Sequence, residues 1–177
     1  MKPVKAPPEL PPAPELDFSD PHGDDFEALS RDRIPIRSMT EKDLPAIIAL
    51  DRRITGRDRG PYYRRKMAET LAESGIRVSL VAQEGDQTLG FLMARVDFGE
   101  FGEASPEAVI DTIGVDPAQA GRKVGTALLS QLLANLAVLH VERLRTEVAW
   151  DNFGLLGFLR RCGFRPSQRL SFTRRIG

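Results

Sequence analysis

One junction constrains the fold of this chain more than any other stretch. An apolar, β-branched run from residue 109 to 115 stops at Asp116-Pro117, and Gly121 and Gly125 follow before a leucine-rich helical pattern. This order predicts a strand, a glycine loop and a helix. Such a junction aims several backbone N–H groups of a helix N-terminus at one point, where the partial positive charge of the helix favours an anion. The sequence therefore predicts a phosphate-bearing ligand at this loop.

Two common kinds of phosphate loop do not fit the residues here. A Walker loop requires G-x-x-x-x-G-K-[ST], whereas Gly121 is followed by Arg122, Lys123, Val124, Gly125 and Thr126. The dinucleotide fingerprint G-x-G-x-x-G is also absent, and it usually lies in the first βα unit rather than two-thirds along the chain.

The junction resembles motif A of the GNAT superfamily of acyl-CoA-dependent N-acyltransferases. The matching residues are Val115, Pro117, Gly121, Gly125, Leu128 and Leu129. Two positions depart from the family pattern: Ala120 replaces the usual Arg or Gln, and Lys123 replaces the usual Gly.

A second stretch downstream resembles motif B of the same family. The matching residues are Val148, Asn152, Phe158, Gly163 and Phe164, whereas Leu159 occupies the position usually held by Tyr. Both motifs occur in the family's order and spacing, and the resemblance extends over about residues 34 to 176. It implies an α/β GNAT fold, with a mixed sheet of about six to seven strands and helices on both faces.

The resemblance also implies that acetyl-CoA is the acyl donor. Its pyrophosphate would bind the backbone N–H groups of the loop residues Gly121, Arg122, Lys123, Val124, Gly125 and Thr126. The side chains of Arg122 and Lys123 would add positive charge or simply face water. The pantetheine arm would pair with an open strand edge at Ile113, Gly114 and Val115. Asn152 would bind that arm, cap a helix, or do both.

Gly114 and Asp111 are unusual within their apolar strand. Glycine inside a strand indicates a bulge or the close approach of a ligand. Asp111 is expected on the same face as Val109, Ile113 and Val115, which makes it the first candidate for a catalytic base. Glu147 on the neighbouring strand is the second, and either carboxylate can instead be structural. Leu159 cannot act as the usual general acid, although a thiol with a pKa near ~8.5 leaves tolerably as thiolate.

Two functions remain open at this stage. The first is an N-acetyltransferase in which a primary amine, from a small molecule or from a protein N-terminus or lysine, attacks the thioester directly. The second is an acyl-CoA-binding regulatory module of GNAT fold with little or no turnover. A basic stretch from Arg52 to Lys66, which includes both tyrosines, is either the lip of an acceptor site for an anionic or peptide substrate or a solvated helix flank.

Composition narrows the classes of partner. The 25 basic and 25 acidic residues balance, so bulk charge gives no reason to expect nucleic-acid binding. No apolar run approaches membrane-spanning length. The single cysteine, Cys162, indicates a reducing compartment and hence the cytoplasm, and the two histidines lack metal-ligand spacing, so no metal is expected. A homodimer is left open.

The chain is expected to divide once. Residues 1–33 are proline-rich and lack apolar periodicity, which predicts a flexible tail, with a partner-binding arm as the alternative. Residues 34–177 are the expected GNAT domain, with the element order β-α-α-β-β-β-α-β-α-β. The last two strands are expected at 144–150 and 170–174.

Overall fold

The computed structural model describes residues 33–72, 78–98, 105–167 and 172–175. The helices are α1 (Leu44–Thr55), α2 (Gly60–Ala72), α3 (Val124–Val138) and α4 (Phe153–Arg161), with short 3-10 turns at Glu41–Asp43 and Pro117–Gln119. The strands are β1 (Ile36–Ser38), β2 (Leu80–Glu84), β3 (Gln87–Phe98), β4 (Pro106–Val115) and β5 (Arg143–Thr146).

The strands form one mixed sheet in the order β1-β2-β3-β4-β5. Strands β1 to β4 pair antiparallel, and β5 pairs parallel to β4. The parallel pairing requires a crossover, and α3 provides it. The end of β4 thus leads through the glycine loop into α3, as the sequence predicts.

Each face of the sheet carries its own apolar core. On one face, α1 and α2 bury Ile47, Leu50, Tyr63 and Met67 against Val81, Phe91 and Met93. On the other face, α3 buries residues such as Leu128 and Leu132 against Leu92, Ala94 and Ile110, and Phe158 of α4 packs at the edge of this cluster. We call these the α1–α2 face and the α3 face. The sequence-based expectation of a mixed sheet with helices on both faces is confirmed.

The structure differs from the expected elements at two strands. Five strands form in the described part of the chain, rather than six to seven. Strand β5 ends at Thr146 instead of Trp150. The strand expected at 170–174 lies partly outside the described residues, and 172–175 form no strand. The predicted tail also lies outside them, apart from Arg33. No helix of the described ranges is both long enough and apolar enough to cross a membrane.

Candidate active site

Strands β4 and β5 separate part-way along β4. Their pairing runs from Glu107 opposite Arg143 to Ile110 opposite Thr146, and Thr146 Oγ1 donates a hydrogen bond to the Ile110 carbonyl at 3.1 Å. Beyond that point β4 continues to Val115 while paired only with β3. Within the described ranges, the edge of Ile113, Gly114 and Val115 that faces away from β3 therefore has no strand partner. This opening is the strand edge that the sequence predicts for an extended, amide-bearing ligand.

Asp116 fixes the start of the loop that follows β4. Its N–H donates to the Leu89 carbonyl at 2.8 Å, and its Oδ1 accepts the Ala118 N–H at 3.0 Å. Its Oδ2 pairs with Arg53 Nη2 of α1 at 2.8 Å. Three contacts to one buried carboxylate and its backbone hold the loop against both β3 and α1. The Asp-Pro pair is the signal for this role, and the sequence analysis missed it.

The loop reaches α3 through two residues in left-handed conformations. Gly121 has φ of 83° and Lys123 has φ of 62°. Glycine adopts this region without strain, whereas a residue with a Cβ has a higher conformational free energy there. Lys123 is the N-cap of α3 and makes no side-chain cap hydrogen bond. The N–H groups of Val124, Gly125 and Thr126 form the first helical turn, where no intrahelical acceptor exists, so three N–H groups converge at the end of the loop.

Arg122 takes a different role from the one expected. Its N–H donates to the Gln119 carbonyl at 3.2 Å, so this amide already closes a turn. Its side chain forks onto Glu84 of β2 at 3.2 Å and donates to Gln119 Oε1 at 2.7 Å. The contact with Glu84 ties the loop to β2, and the contact with Gln119 lies within the loop. The structure therefore assigns Arg122 to holding the loop.

Packing explains the glycines at positions 114 and 125. A Cβ on Gly114 would lie 2.7 Å from Phe91 Cε1 and 3.0 Å from Ile54 Cδ1, so glycine is required by the α1–α2 core. Of the two alternatives for Gly114, a bulge or the close approach of a ligand, the bulge lies elsewhere in β4. A Cβ on Gly125 would point at Phe158, with 3.4 Å to its nearest ring atoms. Gly125 thus lets α4 approach the first turn of α3, and its backbone remains available to a ligand.

The bulge lies at Asp111. Met93 pairs with Thr112 and Ala94 pairs with Ile110, so Asp111 is the extra residue of β4. The extra residue interrupts the alternation of side chains between the two faces of β4. The expectation that Asp111 shares a face with Ile113 and Val115 is therefore wrong. Ile113 and Val115 pack in the α3-face cluster. Asp111 instead contacts Lys66 of α2 on the α1–α2 face.

Two cations flank Asp111. Arg95 Nη1 of β3 donates to Asp111 Oδ1, and Lys66 Nζ lies 3.6 Å from the same oxygen. The side chain is 15% exposed, so it is partly screened from water yet reachable. Tyr62 lies nearby, and burial, followed by the charge of Asp111, raises the pKa of this tyrosine. A carboxylate, two cations and a neutral phenol therefore meet beside the point where β4 and β5 separate.

Glu147 lies apart from this group. It follows the end of β5 rather than lying within a strand, because β5 stops at Thr146. Its side chain is 87% exposed, and Arg145 Nη1 lies 3.8 Å away. The structure brings Asp111 to the strand opening and leaves Glu147 in solvent.

A buried polar cluster supports the α1–α2 face behind the opening. Arg59 Nε donates to Asp51 Oδ2 at 2.8 Å, and the Tyr63 hydroxyl donates to Asp51 Oδ1 at 2.8 Å. Burial alone would raise the pKa of Asp51, but the hydrogen bonds from Arg59 and Tyr63 outweigh it and lower this pKa. Burial raises the pKa of Tyr63, so its hydroxyl stays protonated as a donor. The cluster fixes the segment between α1 and α2 beside the opening.

Helix α4 packs beside the first turn of α3, where Phe158 faces Gly125. Asn152 Oδ1 accepts the Leu155 N–H at 3.2 Å, so the helix-capping role of Asn152 is confirmed, while its amide nitrogen remains a donor. Leu159 is buried at 7% exposure and carries no ionisable group. Among the described residues, no cluster of three or more His, Cys, Asp or Glu side chains could hold a metal ion.

Comparison with protein families agrees with this geometry. The model of the acetyltransferase (GNAT) family matches residues 44–164, which run from the start of α1 to just beyond the end of α4 and include strands β2 to β5. The match confirms the resemblance found in the two motifs. Comparison with curated protein sequences gives no significant match.

Solved structures with the same fold include enzymes that act on aminoglycosides. The aminoglycoside N-acetyltransferase AAC(6')-Iy, in complex with the bisubstrate analogue CoA-S-monomethyl-acetylneamine, has a TM-score of 0.67 at 18% identity. The aminoglycoside 6'-N-acetyltransferase AAC(6')-IG from Acinetobacter haemolyticus has a TM-score of 0.66 at 24% identity. A transcriptional regulator from Bacillus halodurans C-125 has a TM-score of 0.68 at 18% identity. Each comparison covers 81% of this chain and 99% of the other. At these identities the likeness shows the fold alone.

Proposed function

Because the chain belongs to the acetyltransferase (GNAT) family, we propose that it transfers an acetyl group from acetyl-CoA to a primary amine. The observation that carries this proposal is the continuity of the opening with the loop. The unpaired edge of β4 leads directly to the three convergent N–H groups at the start of α3. An extended, amide-bearing arm that ends in a pyrophosphate fits both parts at once.

Different residues bind the pyrophosphate and the pantetheine arm of acetyl-CoA. The N–H groups of Val124, Gly125 and Thr126 bind the pyrophosphate, and the Lys123 ammonium adds positive charge next to it. The β4 edge at Ile113 and Val115 pairs with the amides of the pantetheine arm. The Asn152 side-chain NH₂ donates to the same arm from the opposite side. Val124 contributes only its backbone, since its side chain is buried in the α3-face core.

We infer the position of the thioester from the place where β4 and β5 begin to pair. Ile110 and Thr146 restore the pairing of β4 with β5, so the arm cannot continue between the strands beyond Asp111. The acetyl group therefore emerges beside Asp111 on the α1–α2 face. The acceptor approaches from that face, between the sheet and α2.

Asp111 is the proposed proton acceptor. An alkylammonium has a pKa near ~10.4 and must lose a proton before it attacks. The Asp111 carboxylate accepts this proton, directly or through water, and the neutral amine then attacks the thioester carbon to form the N–C bond. As the C–S bond breaks, the nitrogen gives up its surplus proton to water. The sulfur leaves as thiolate, or it takes a proton from the Tyr62 phenol, which water then reprotonates. Arg95 and Lys66 hold the Asp111 carboxylate beside the proposed thioester position.

The test is an acetyl-CoA-dependent assay of free-thiol release against a panel of amines. The panel contains small amines, amino acids, polyamines, aminoglycosides and N-terminal peptides. Thiol release that requires one acceptor class supports the proposal. Acetyl-CoA binding by calorimetry without thiol release for any acceptor contradicts it. That result would favour an acyl-CoA-binding module, which the buried Leu159 at the usual tyrosine position also suits.

A further inference from the structure

A ladder of alternating charges crosses the α1–α2 face next to the opening. Arg95 lies between two carboxylates, with Nε 2.9 Å from Asp97 Oδ1 and Nη1 bound to Asp111. Lys66 then lies on the far side of Asp111, at 3.6 Å. On β5, Arg145 Nε contacts Glu107 Oε2 at 3.0 Å, and Arg145 Nη2 lies 3.6 Å from Asp97. We call these six side chains the charge ladder.

The ladder leaves no carboxylate uncompensated beside the proposed thioester position. Asp111, Asp97 and Glu107 each contact at least one cationic side chain. The cations are also the more accessible partners next to the opening, since Arg95 is 34% exposed and Asp111 is 15% exposed. A guanidinium carries five N–H donors, and Arg95 uses two of them in these pairs. The Arg95 side chain therefore keeps donors for an incoming anion.

The rim of the opening is also basic. The stretch from Arg52 to Lys66 carries seven basic residues and one acidic residue. Two of these arginines form salt bridges with buried carboxylates, Arg53 with Asp116 and Arg59 with Asp51. Arg52, Arg57, Arg64 and Arg65 are exposed. Like charges across a binding surface disfavour a partner, so this rim disfavours a ligand that carries several positive charges.

We propose that the acceptor is a zwitterion, an amine that also carries a carboxylate, such as an amino acid or a short peptide. This inference rests on the proposed acetyl transfer and names its substrate class. The acceptor's ammonium pairs with Asp111, which takes its proton, and its carboxylate pairs with Arg95 and Lys66. The alternating charges of the ladder match an acceptor with one charge of each sign. An aminoglycoside has no carboxylate to pair with Arg95 and Lys66, so its ammonium groups would compete with these two cations for Asp111, below a basic rim.

Matched pairs of acceptors test this assignment. Each ω-amino acid from β-alanine to 6-aminohexanoate, and glycylglycine, is compared with its own carboxamide, which keeps the amine and removes the negative charge. Neamine serves as the polycationic acceptor. We expect at least one acid to give a kcat/KM at least tenfold above that of its amide and above that of neamine. Equal values for every acid and amide, or a preference for neamine, overturn the inference.

Variants locate the carboxylate. Lys66→Gln and Arg95→Gln are expected to lower the kcat/KM of the preferred acid at least fivefold more than that of its amide, because any effect through Asp111 is common to both acceptors and only the acid loses a contact to its carboxylate. The control is Lys42→Gln, which makes the same change on an exposed residue one turn before α1. It should match the wild type for both acceptors. An equal effect of Lys66→Gln on acid and amide contradicts the proposed contact.

A binding experiment distinguishes failure of this inference from failure of the proposed acetyl transfer. Calorimetry of each acid and amide with the protein–CoA complex does not require turnover. Preferential binding of an acid with no thiol release would support the zwitterion site and overturn acetyl transfer. Thiol release with neamine and with no zwitterion would support acetyl transfer and overturn the zwitterion site.

Discussion

Gly114 is the position where one added methyl group should have the largest effect on the site. A Cβ there would lie 2.7 Å from Phe91 Cε1 and 3.0 Å from both Phe91 Cζ and Ile54 Cδ1. Carbon atoms prefer separations of about 3.5–4.0 Å, so the Phe91 ring would have to move by about 1 Å. The ring is fully buried and packs edge-on against Tyr63, with centroids 5.7 Å apart. Tyr63 in turn is held by its hydrogen bond to Asp51.

The expected cost follows from this lack of room. Overpacking a well-packed core costs about 1–3 kcal/mol, and we expect Gly114→Ala to lie in the upper half of that range. Urea denaturation followed by circular dichroism measures it. The matched control is Gly125→Ala, whose Cβ would meet Phe158 at an ordinary 3.4 Å. This control should be neutral or stabilising by up to about 1 kcal/mol, because alanine is the better helix former.

A double-mutant cycle identifies the cause. In a Phe91→Leu background the ring edge is absent, so Gly114→Ala should cost at least about 1 kcal/mol less than in the wild type. Gly114→Ala with native stability, or a cost that is unchanged by Phe91→Leu, would refute the packing explanation.

Three further predictions concern the base, the loop and pH. Asp111→Asn should lower kcat/KM for the acceptor by ~10²–10⁴-fold with little change in acetyl-CoA affinity. Glu147→Gln changes a side chain that lies in solvent and should keep near-native rates. Steady-state kinetics in which Glu147→Gln is the more damaging change would reject Asp111 as the base. Lys123→Val should destabilise the fold by about 1–2 kcal/mol, because a β-branched residue is strained at positive φ. Lys123→Gly should not destabilise it. Equal unfolding free energies for the two variants would rule out this strain. The Arg37 hydrogen bonds lower the pKa of Asp43 to about 2, so their stabilisation is complete above the unfolded value of about 3.9 and is lost as pH falls towards the folded value. The difference in unfolding free energy between wild type and Arg37→Gln should therefore narrow between about pH 4 and about pH 2, and a difference that is constant with pH would contradict the assignment.

The part of the site that could be predicted from sequence is the part set by local rules. The end of β4 at Val115, the left-handed Gly121 and the start of α3 at Val124 follow from turn and helix preferences of neighbouring residues. The capping role of Asn152 follows for the same reason. These residues need no information about distant parts of the chain.

The missed features depend on residues far apart in sequence. The bulge at Asp111 exists only in the pairing with β3, so a period of two placed this side chain on the wrong face. Gly114 is required by Phe91, more than twenty positions earlier. The contact of Asp111 with Lys66 needs α2 to pack over β4. The early end of β5 reflects its separation from β4, which no local pattern encodes.

The central claim is that the loop from Gly121 to Thr126 binds the pyrophosphate of acetyl-CoA. Gly121 offers the most direct test, because its φ is 83° and, apart from its chain neighbours, no atom of the described residues lies within 4 Å of the position of an added Cβ. Gly121→Asp and Gly121→Asn place nearly identical side chains there, and both residue types tolerate this backbone region. They differ by one negative charge. Calorimetry should show acetyl-CoA binding to Gly121→Asp at least tenfold more weakly than to Gly121→Asn, a difference of about 1.4 kcal/mol. Equal affinities for the two folded variants would contradict the claim.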